Sequence, residues 1–226
     1  MPLQRLPNWI QLSVFLLALN AGMVNVLGLI TVLHQSVSHM TGNVSMLAMS
    51  LADWQPEHFV YLNLVVLCFI LGSFISGLIL GESHVVLNRH YGFPLSLIAL
   101  FLLLTWILLP YFPRYALLWA SVAMGIQNAM VSHYKGAIIR TTHLSGVLTD
   151  IGLTLGYCVR GLKIESRRIV LHILIFIGFL IGGLITSLLY PYFKLHTFLI
   201  PTTLSFCMAI IYWVYYFRVS SNLHLD

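Results

Sequence analysis

Charged side chains are scarce in this chain. Its 226 residues include only 11 lysines and arginines and 6 aspartates and glutamates, so that charged residues make up 8% of the sequence. Soluble domains carry about 25% charged residues. A chain with so few charges cannot cover a folded surface with groups that water solvates well. The composition therefore excludes an ordinary soluble domain, and we read the net charge of +5 as a signal of membrane orientation, not of a nucleic-acid partner.

Cysteines and recognisable catalytic motifs are also few. Cys68, Cys158 and Cys207 are isolated from one another, which excludes a disulfide framework and a zinc knuckle. The sequence has no glycine-rich phosphate loop, no HExxH pair and no nucleophile elbow. We therefore expect no bound metal, no cofactor and no enzymatic activity.

Long apolar runs dominate what is present, because 59% of the residues are hydrophobic. A helix needs roughly 20 mostly apolar residues to cross a membrane. The sequence thus predicts an all-α membrane protein with six transmembrane helices. The predicted spans are residues 9–33, 59–80, 94–109, 116–134, 169–189 and 197–217.

Two further segments, 40–52 and 144–158, are moderately apolar but too short for an ordinary crossing. Each suits a re-entrant or half-membrane helix. With six spans, nine basic residues fall on the side that holds both termini, and only Arg114 and Lys194 fall on the other. Because lysine and arginine collect on the cytoplasmic side, both termini are predicted to be cytoplasmic.

An internal repeat relates the two parts of the chain. Residues 22–25 (GMVN) match 125–128 (GIQN), and 39–42 (HMTG) match 143–146 (HLSG). Farther along, 72–77 match 178–183, and Pro94 at the start of the third span matches Pro201. The repeats would be 1–110 and 111–226. Each contains three crossings, an odd number, so the second repeat should be inverted, with a binding site near the membrane midplane.

Amide side chains occur inside the apolar spans. Asn25 matches Asn128, and Gln127 lies beside the latter. Hydrocarbon offers an amide no hydrogen-bond partner, so each needs one from the protein or from a ligand. These amides either line a solute cavity or only join neighbouring helices.

The segments before the two short helices, 38–43 and 142–146, combine hydroxyl residues and glycine, as helix N-caps do. A helix that starts inside a membrane presents free N–H groups and a positive dipole end, which suit an anionic group. The alternative is that Thr41 and Ser145 merely cap their own helices. The candidate ligand-facing residues are Thr41, Gly42, Asn43, Thr142, Ser145 and Gly146.

His39 and His143 occupy matching positions, and symmetry could bring them together at the midplane. A metal site would need more ligands than two imidazoles. A role in contacting the solute and a satisfied structural hydrogen bond remain the alternatives. The other histidines, including His172, have no matching partner and are expected at the membrane interfaces.

Asp150 is the one acidic residue in the two short segments, since Met46 occupies the matching position. An ionisable group in a membrane segment is a functional candidate by default. Arg140 lies ten residues earlier and could pair with this carboxylate or bind a solute anion. The alternative is an ion pair that only holds the segment, or an exposed cytoplasmic Asp150.

The patterns at 21–25 (AGMVN) and 38–43 (SHMTGN), then at 125–129 (GIQNA) and 140–150 (RTTHLSGVLTD), resemble the YoaK family of bacterial membrane proteins. The resemblance spans most of the chain and implies a bacterial inner-membrane protein. Two positions depart from the family pattern: many members carry an acid in place of Asn25 and threonine in place of Ser145. The absence of an acid at position 25 weakens a proton- or cation-coupling role there.

The leading hypothesis is a secondary transporter or facilitator of a small polar or anionic solute, with membrane lipids as its surroundings. A membrane scaffold or accessory subunit is the alternative, and assembly of identical chains is left open. A lipid-acting enzyme that uses His39, His143 and Asp150 is disfavoured by the scarcity of acids.

Overall fold

A computed structural model describes residues 8–31, 36–81, 89–132, 141–164 and 166–222. These described residues form α-helices and one 3₁₀ turn, with no β-strand among them. The helices are α1 (Asn8–Thr31), α2 (Met40–Ala52), α3 (Pro56–Leu80), α4 (Arg89–Leu108), α5 (Pro113–Ser132), α6 (Leu144–Val159), α7 (Ser166–Phe193) and α8 (Leu199–Asn222), and the 3₁₀ turn is Lys194–Phe198.

Several helices have the length and composition of membrane spans. In the described part of the chain, four continuous helical stretches qualify, and the last of them contains both α7 and α8. The stretches are Asn8–Thr31, Pro56–Leu80, Tyr91–Leu108 and Ser166–Arg218. The prediction of an all-helical protein with membrane-spanning helices is therefore confirmed for the residues described.

The position of Pro94 differs from the prediction. The third apolar run was expected to start there, but α4 begins at Arg89 and contains Pro94. A proline near the start of a helix removes one backbone hydrogen bond and need not end the helix.

Glycines bring the long helices into backbone contact. A Cβ atom on Gly22 of α1 would lie 2.1 Å from the carbonyl oxygen of Phe179 in α7. A Cβ atom on Gly125 of α5 would lie equally close to the carbonyl oxygen of Phe69 in α3, at 2.1 Å. Only glycine permits such an approach, which small residues commonly provide between membrane helices.

The reciprocal contacts revise the sequence match between α3 and α7. A Cβ atom on Gly72 would lie 2.0 Å from the Val122 carbonyl oxygen, and one on Gly182 would lie 2.1 Å from that of Leu19. Gly72 and Gly182 thus make the same kind of contact, whereas the sequence match paired Gly72 with Gly178, one helical turn earlier. The reason is that both helices contain several glycines, and only the packing shows which of them lies at the helix crossing.

Two of the packed helix pairs, α1 with α7 and α3 with α5, are parallel. Phe15 lies beside Gly178 and Val26 beside Gly183, so α1 and α7 run parallel. Helices α3 and α5 are also parallel, since the Ser121 hydroxyl bonds to the carbonyl oxygen of residue 65, and Gly125 lies beside Phe69.

Helices α4 and α8 run antiparallel. Near the start of α4, the Phe93 ring lies 5.4 Å from the Trp213 ring of α8, centroid to centroid. Near the end of α4, Trp106 lies 6.0 Å from His196, which precedes α8.

The short helices α2 and α6 each pack against one long neighbour, α3 and α7 respectively. Both end in the same type of turn. Trp54 has a φ of 52° and Gly161 a φ of 69°, and in each case the following residue donates a backbone hydrogen bond back to the last turn of the helix. This is the Schellman motif, which satisfies carbonyl groups that the helix end leaves free.

Candidate functional site

The segment before α2 is held by Asn25, in the last third of α1. The Asn25 Oδ1 atom accepts hydrogen bonds from the Ser36 and Ser38 hydroxyls, the latter at 2.8 Å. The Ser36 hydroxyl oxygen in turn accepts a 2.7 Å hydrogen bond from the backbone N–H of His39. Asn43 Nδ2 donates to the carbonyl oxygen of Ser36 at 2.8 Å. Asn25 and Asn43 are therefore both used to shape this loop.

Gln127 is engaged in a second network, which joins α1, α5 and the segment before α6. Its Oε1 atom accepts from Asn20 Nδ2 at 2.9 Å. Its Nε2 atom donates to the Leu17 carbonyl oxygen at 2.9 Å and to the Thr141 hydroxyl at 3.1 Å. Gln127 and Asn20 are both completely buried. In this structure Gln127 has its donors and its acceptor occupied by the protein.

Asn128 differs from its neighbour. It is half-buried, and its Oδ1 atom is buried without a hydrogen-bond partner among the described residues. The matching atom of Asn25 accepts two hydroxyl groups, so Asn128 retains an acceptor that Asn25 does not.

The two short helices start in the same way. His39 and His143 are the N-cap residues, with φ and ψ of −88° and 74° in the first case and −97° and 65° in the second. A Cβ atom on Gly42 would lie 2.5 Å from Cδ2 of His39, and one on Gly146 would lie 2.6 Å from Cδ2 of His143. Each imidazole therefore lies over the glycine one turn later.

These helix starts correct one prediction. Thr41 and Ser145 were expected at the N-caps, but they lie inside the first turns of α2 and α6. Neither N-cap side chain, His39 or His143, makes a capping hydrogen bond. The reason is that the histidine, not the hydroxyl residue, adopts the non-helical conformation at each start.

Exposure also distinguishes the residues at the helix starts. His39, Thr41, His143 and Ser145 are exposed, whereas Thr142 is buried. Helices α2 and α6 do not contact each other. Each short helix packs on its own long neighbour, and a meeting of His39 and His143 at the midplane stays a prediction.

Asp150 pairs with a histidine that the sequence did not single out. Its Oδ2 atom lies 3.4 Å from Nε2 of His172 in α7. The His172 side chain is 6% exposed and that of Asp150 is 40% exposed. The sequence grouped His172 with the unmatched histidines, whereas here α6 packs along α7 and covers its side chain. Arg140 lies outside the described residues.

A separate cleft of about 390 Å³ lies where α3 and α5 begin. Its lining includes Tyr61 and an exposed ion pair between Arg114 and Glu57, with an N–O separation of 4.0 Å. Exposed pairs of this kind contribute little, typically below about 1 kcal/mol. None of the residues predicted for the site lines this cleft, and we do not assign the function to it. Among the residues described, no three histidine, cysteine or acidic side chains are grouped as metal ligands.

Three contributors to these networks were missed: Ser36, Ser121 and His172. The Ser121 hydroxyl lies within hydrogen-bond distance of the carbonyl oxygens of residues 37 and 65, at 3.1 and 2.9 Å, and so joins the loop before α2 to α3 and α5. The available signal was a polar residue within or beside an apolar run, but that signal does not identify a partner.

Comparison with known proteins gives a family. The family described as "Protein of unknown function (DUF1275)" matches residues 13–211. The UPF0700 transmembrane protein YoaK of Bacillus subtilis (strain 168) is 27% identical over 201 residues, which cover 84% of this chain and 88% of the relative. The resemblance stated from the motifs is thereby confirmed. No solved structure matches the chain.

Proposed function

The chain belongs to the DUF1275 family, and on that premise we propose that it is a secondary transporter or facilitator of a small polar or anionic solute in the bacterial inner membrane. The membrane setting agrees with the transmembrane relative and with the apolar helices. The proposal includes no chemical step.

The proposed architecture is six crossings in two inverted repeats, residues 1–110 and 111–226, with α2 and α6 as re-entrant helices. Helix directions support this count. If both short helices crossed, α4 and α8 would be parallel, whereas Phe93 lies beside Trp213 and Trp106 beside His196. If only one crossed, α1 and α7 would be antiparallel, whereas they run parallel. Six crossings agree with both observations, with both termini on the cytoplasmic side.

The reciprocal glycine contacts support a twofold relation between the repeats. Gly22 lies on Phe179 as Gly125 lies on Phe69, and Gly182 lies on Leu19 as Gly72 lies on residue 122. Each contact joins an element of one repeat to an element of the other. In transporters built this way, one repeat or bundle rocks against the other around a fixed site.

The observation that carries the proposal is the pair of matching helix starts, at which the N-cap side chain makes no capping hydrogen bond. Each presents an exposed imidazole folded over a glycine, His39 over Gly42 and His143 over Gly146. The first N–H groups of a helix carry a partial positive charge and bind anions well. A structural cap alone does not explain an exposed histidine at both places, since neither side chain makes a capping hydrogen bond.

Within this proposal the predicted residues take two roles. Asn25, Asn43 and Gln127 hold the loops and helices in place, because protein groups occupy their amide atoms. The solute would be contacted by a smaller set near the helix starts. That set is His39, Thr41, Gly42, Asn128, His143, Ser145 and Gly146, with Thr142 and Asp150 as further candidates, whereas Arg140 lies outside the described residues.

A ligand-panel thermal-shift experiment tests this function. Purified protein would be unfolded by heating in the presence of small carboxylates, phosphate, amino acids or polyols. A ligand at 100 times its Kd stabilises the folded state by about 2.7 kcal/mol. We expect at least one compound to raise the Tm, and His143→Ala to abolish that rise. Gly152→Ala is the matched control, because Gly152 lies on the same helix and has open space around its Cα.

A membrane scaffold or accessory subunit is the second candidate. The fully buried pair of Asn20 and Gln127 favours it, because both amides join helices instead of lining a cavity. If no compound in the panel shifts the Tm, the transporter proposal fails and the scaffold gains support.

A further inference from the structure

One carboxylate–imidazole pair lies between α6 and α7. Asp150 Oδ2 and His172 Nε2 are 3.4 Å apart, and the histidine side chain is almost fully buried. Ionisable groups in membrane segments are costly and usually functional. The same pair could serve only to hold α6 against α7. The groups around it distinguish this structural role from a functional one.

The pair is present in only one of the two related parts of the chain. In the other repeat, the residue equivalent to Asp150 is Met46, by the sequence offset between the two short helices. The residue equivalent to His172 is Leu62, by the matching glycine contacts of α3 and α7. Helix α2 packs on α3 as α6 packs on α7, without this pair. Attachment of a short helix therefore does not require a carboxylate and an imidazole.

The histidine retains an unused nitrogen. Nδ1 of His172 is buried and has no hydrogen-bond partner among the described residues. The neighbouring helix α1 carries no titratable residue between Asn8 and Thr31. The other titratable or charged groups on the described parts of α6, α7 and the turns beside them are His143, Tyr157, Cys158, Arg160, Lys163, Arg167, Arg168, Tyr190, Tyr192, Lys194 and His196. The nearest of them along α7 is Arg168, one turn before His172.

We propose that Asp150 and His172 form a proton-binding site that couples protonation to movement of α6 along α7. This inference rests on the proposed transport function and names its coupling ion. The proton passes from water to the partly exposed carboxylate and then to the ring. With aspartate ionised and histidine neutral, the pair carries one negative charge, and one added proton makes it neutral overall. The proton returns to water when the pair is exposed on the other side of the membrane.

The coupling has a simple physical cause. Moving a net charge through an apolar region costs far more than moving a neutral pair whose groups satisfy each other. The protonated pair can therefore follow a movement of α6 and α7 that the charged pair resists. Because the first repeat lacks the pair, only one of the two re-entrant helices would respond to protons.

Proton binding can be measured without any solute. In ¹⁵N-histidine NMR spectra of the full chain in nanodiscs, the His172 signals would be assigned by their loss in His172→Gln. We expect these signals to change from a neutral ring to an imidazolium between about pH 8 and pH 5. In Asp150→Asn that change should be lost, and Asp150→Glu should restore it. Asp53→Asn is the control, because this exposed carboxylate lies at the end of α2. A ring that does not titrate, or that titrates identically in Asp150→Asn, overturns the proposal.

Coupling to movement is measured by electron-spin distances. Nitroxide labels at Gly77→Cys and Gly152→Cys, both open positions, would report the separation of α3 and α6 in a chain without native cysteines. We expect the distance distribution to change between pH 8 and pH 5, and to stay fixed in Asp150→Asn. An unchanged distribution in the parent chain would mean that the pair only attaches α6. Both readings are independent of the ligand panel, so a failed panel removes the transport function and leaves the proton site standing.

Discussion

The side-chain amide of Asn20 in α1 donates a 2.9 Å hydrogen bond to Oε1 of Gln127 in α5, and neither side chain has any exposed surface. The same glutamine donates to the carbonyl oxygen of Leu17, one turn before Asn20. The two hydrogen bonds therefore fix the position of α1 along α5 at Gln127. In an apolar surrounding, such a buried pair matters mainly through what happens when one member is removed.

We predict that Gln127→Leu destabilises the protein by about 1–3 kcal/mol, because Asn20 Nδ2 loses its buried acceptor. Asn20→Leu combined with Gln127→Leu should cost less than the sum of the single changes. Membrane double-mutant cycles average about 0.6 kcal/mol and reach about 1.7, and we expect a coupling energy toward the upper end. Unfolding in denaturant would measure it. Strict additivity would contradict a direct bond.

The close glycine crossings predict a second set of stability effects. A methyl group at Gly22 or Gly125 would meet a backbone carbonyl oxygen at 2.1 Å, so the helices would have to separate. Gly125→Ala should therefore cost about 1–3 kcal/mol or more, as overpacking does. Gly77→Ala is the matched control, since nothing lies within 4 Å of its added methyl group. Equal thermal unfolding of the two variants would rule out this close packing.

A third prediction concerns the acceptor at position 25. Asn25→Leu leaves the hydroxyls of Ser36 and Ser38 without their acceptor, at about 1–3 kcal/mol for each unsatisfied group. Asn25→Asp keeps oxygen acceptors at this position and should unfold at a higher temperature than Asn25→Leu. The measurement is thermal unfolding of both variants beside the parent chain. The reverse order would show that the hydroxyls are satisfied in another way.

The histidine rings over the helix starts give a fourth prediction. An added methyl group at Gly146 would meet the His143 ring, which can rotate away, and not a backbone atom. Gly146→Ala should thus displace the ring at little cost in stability, within about 1 kcal/mol. It should nevertheless remove the ligand-induced rise in Tm if the ring contacts the solute. If Gly146→Ala kept the full ligand-induced rise in Tm, the His143 ring would not contact the solute.

Topology provides a fifth prediction. In a chain without native cysteines, Thr41→Cys should react with an impermeant reagent from outside, and Ser145→Cys from the cytoplasm. Glu57→Cys at the start of α3 is the outside control, and a restored Cys158 at the end of α6 is the cytoplasmic one. Labelling of Thr41→Cys and Ser145→Cys from the same face would exclude inverted repeats.

The local features of the helix starts could be anticipated only in part. The matching positions of His39 and His143 follow from the sequence, and the short helix after His39 ends at Ala52, as predicted. Which residue becomes the N-cap depends on backbone angles, and there the hydroxyl residues were the wrong choice. The role of Gly42 also needed the structure, because its neighbour is a side chain that folds back over it.

The sequence by itself determined the membrane setting, the all-helical class and the family, because the length of the apolar runs and the order of the motifs are properties of the chain. Tertiary structure alone decided which polar groups meet. It paired Asp150 with His172 and Asn20 with Gln127. It also set Gly72 against Val122, and Gly125 against Phe69, where α3 and α5 cross. The physical reason is that hydrocarbon forces each buried polar group to find a partner, but helix direction and packing depth select that partner.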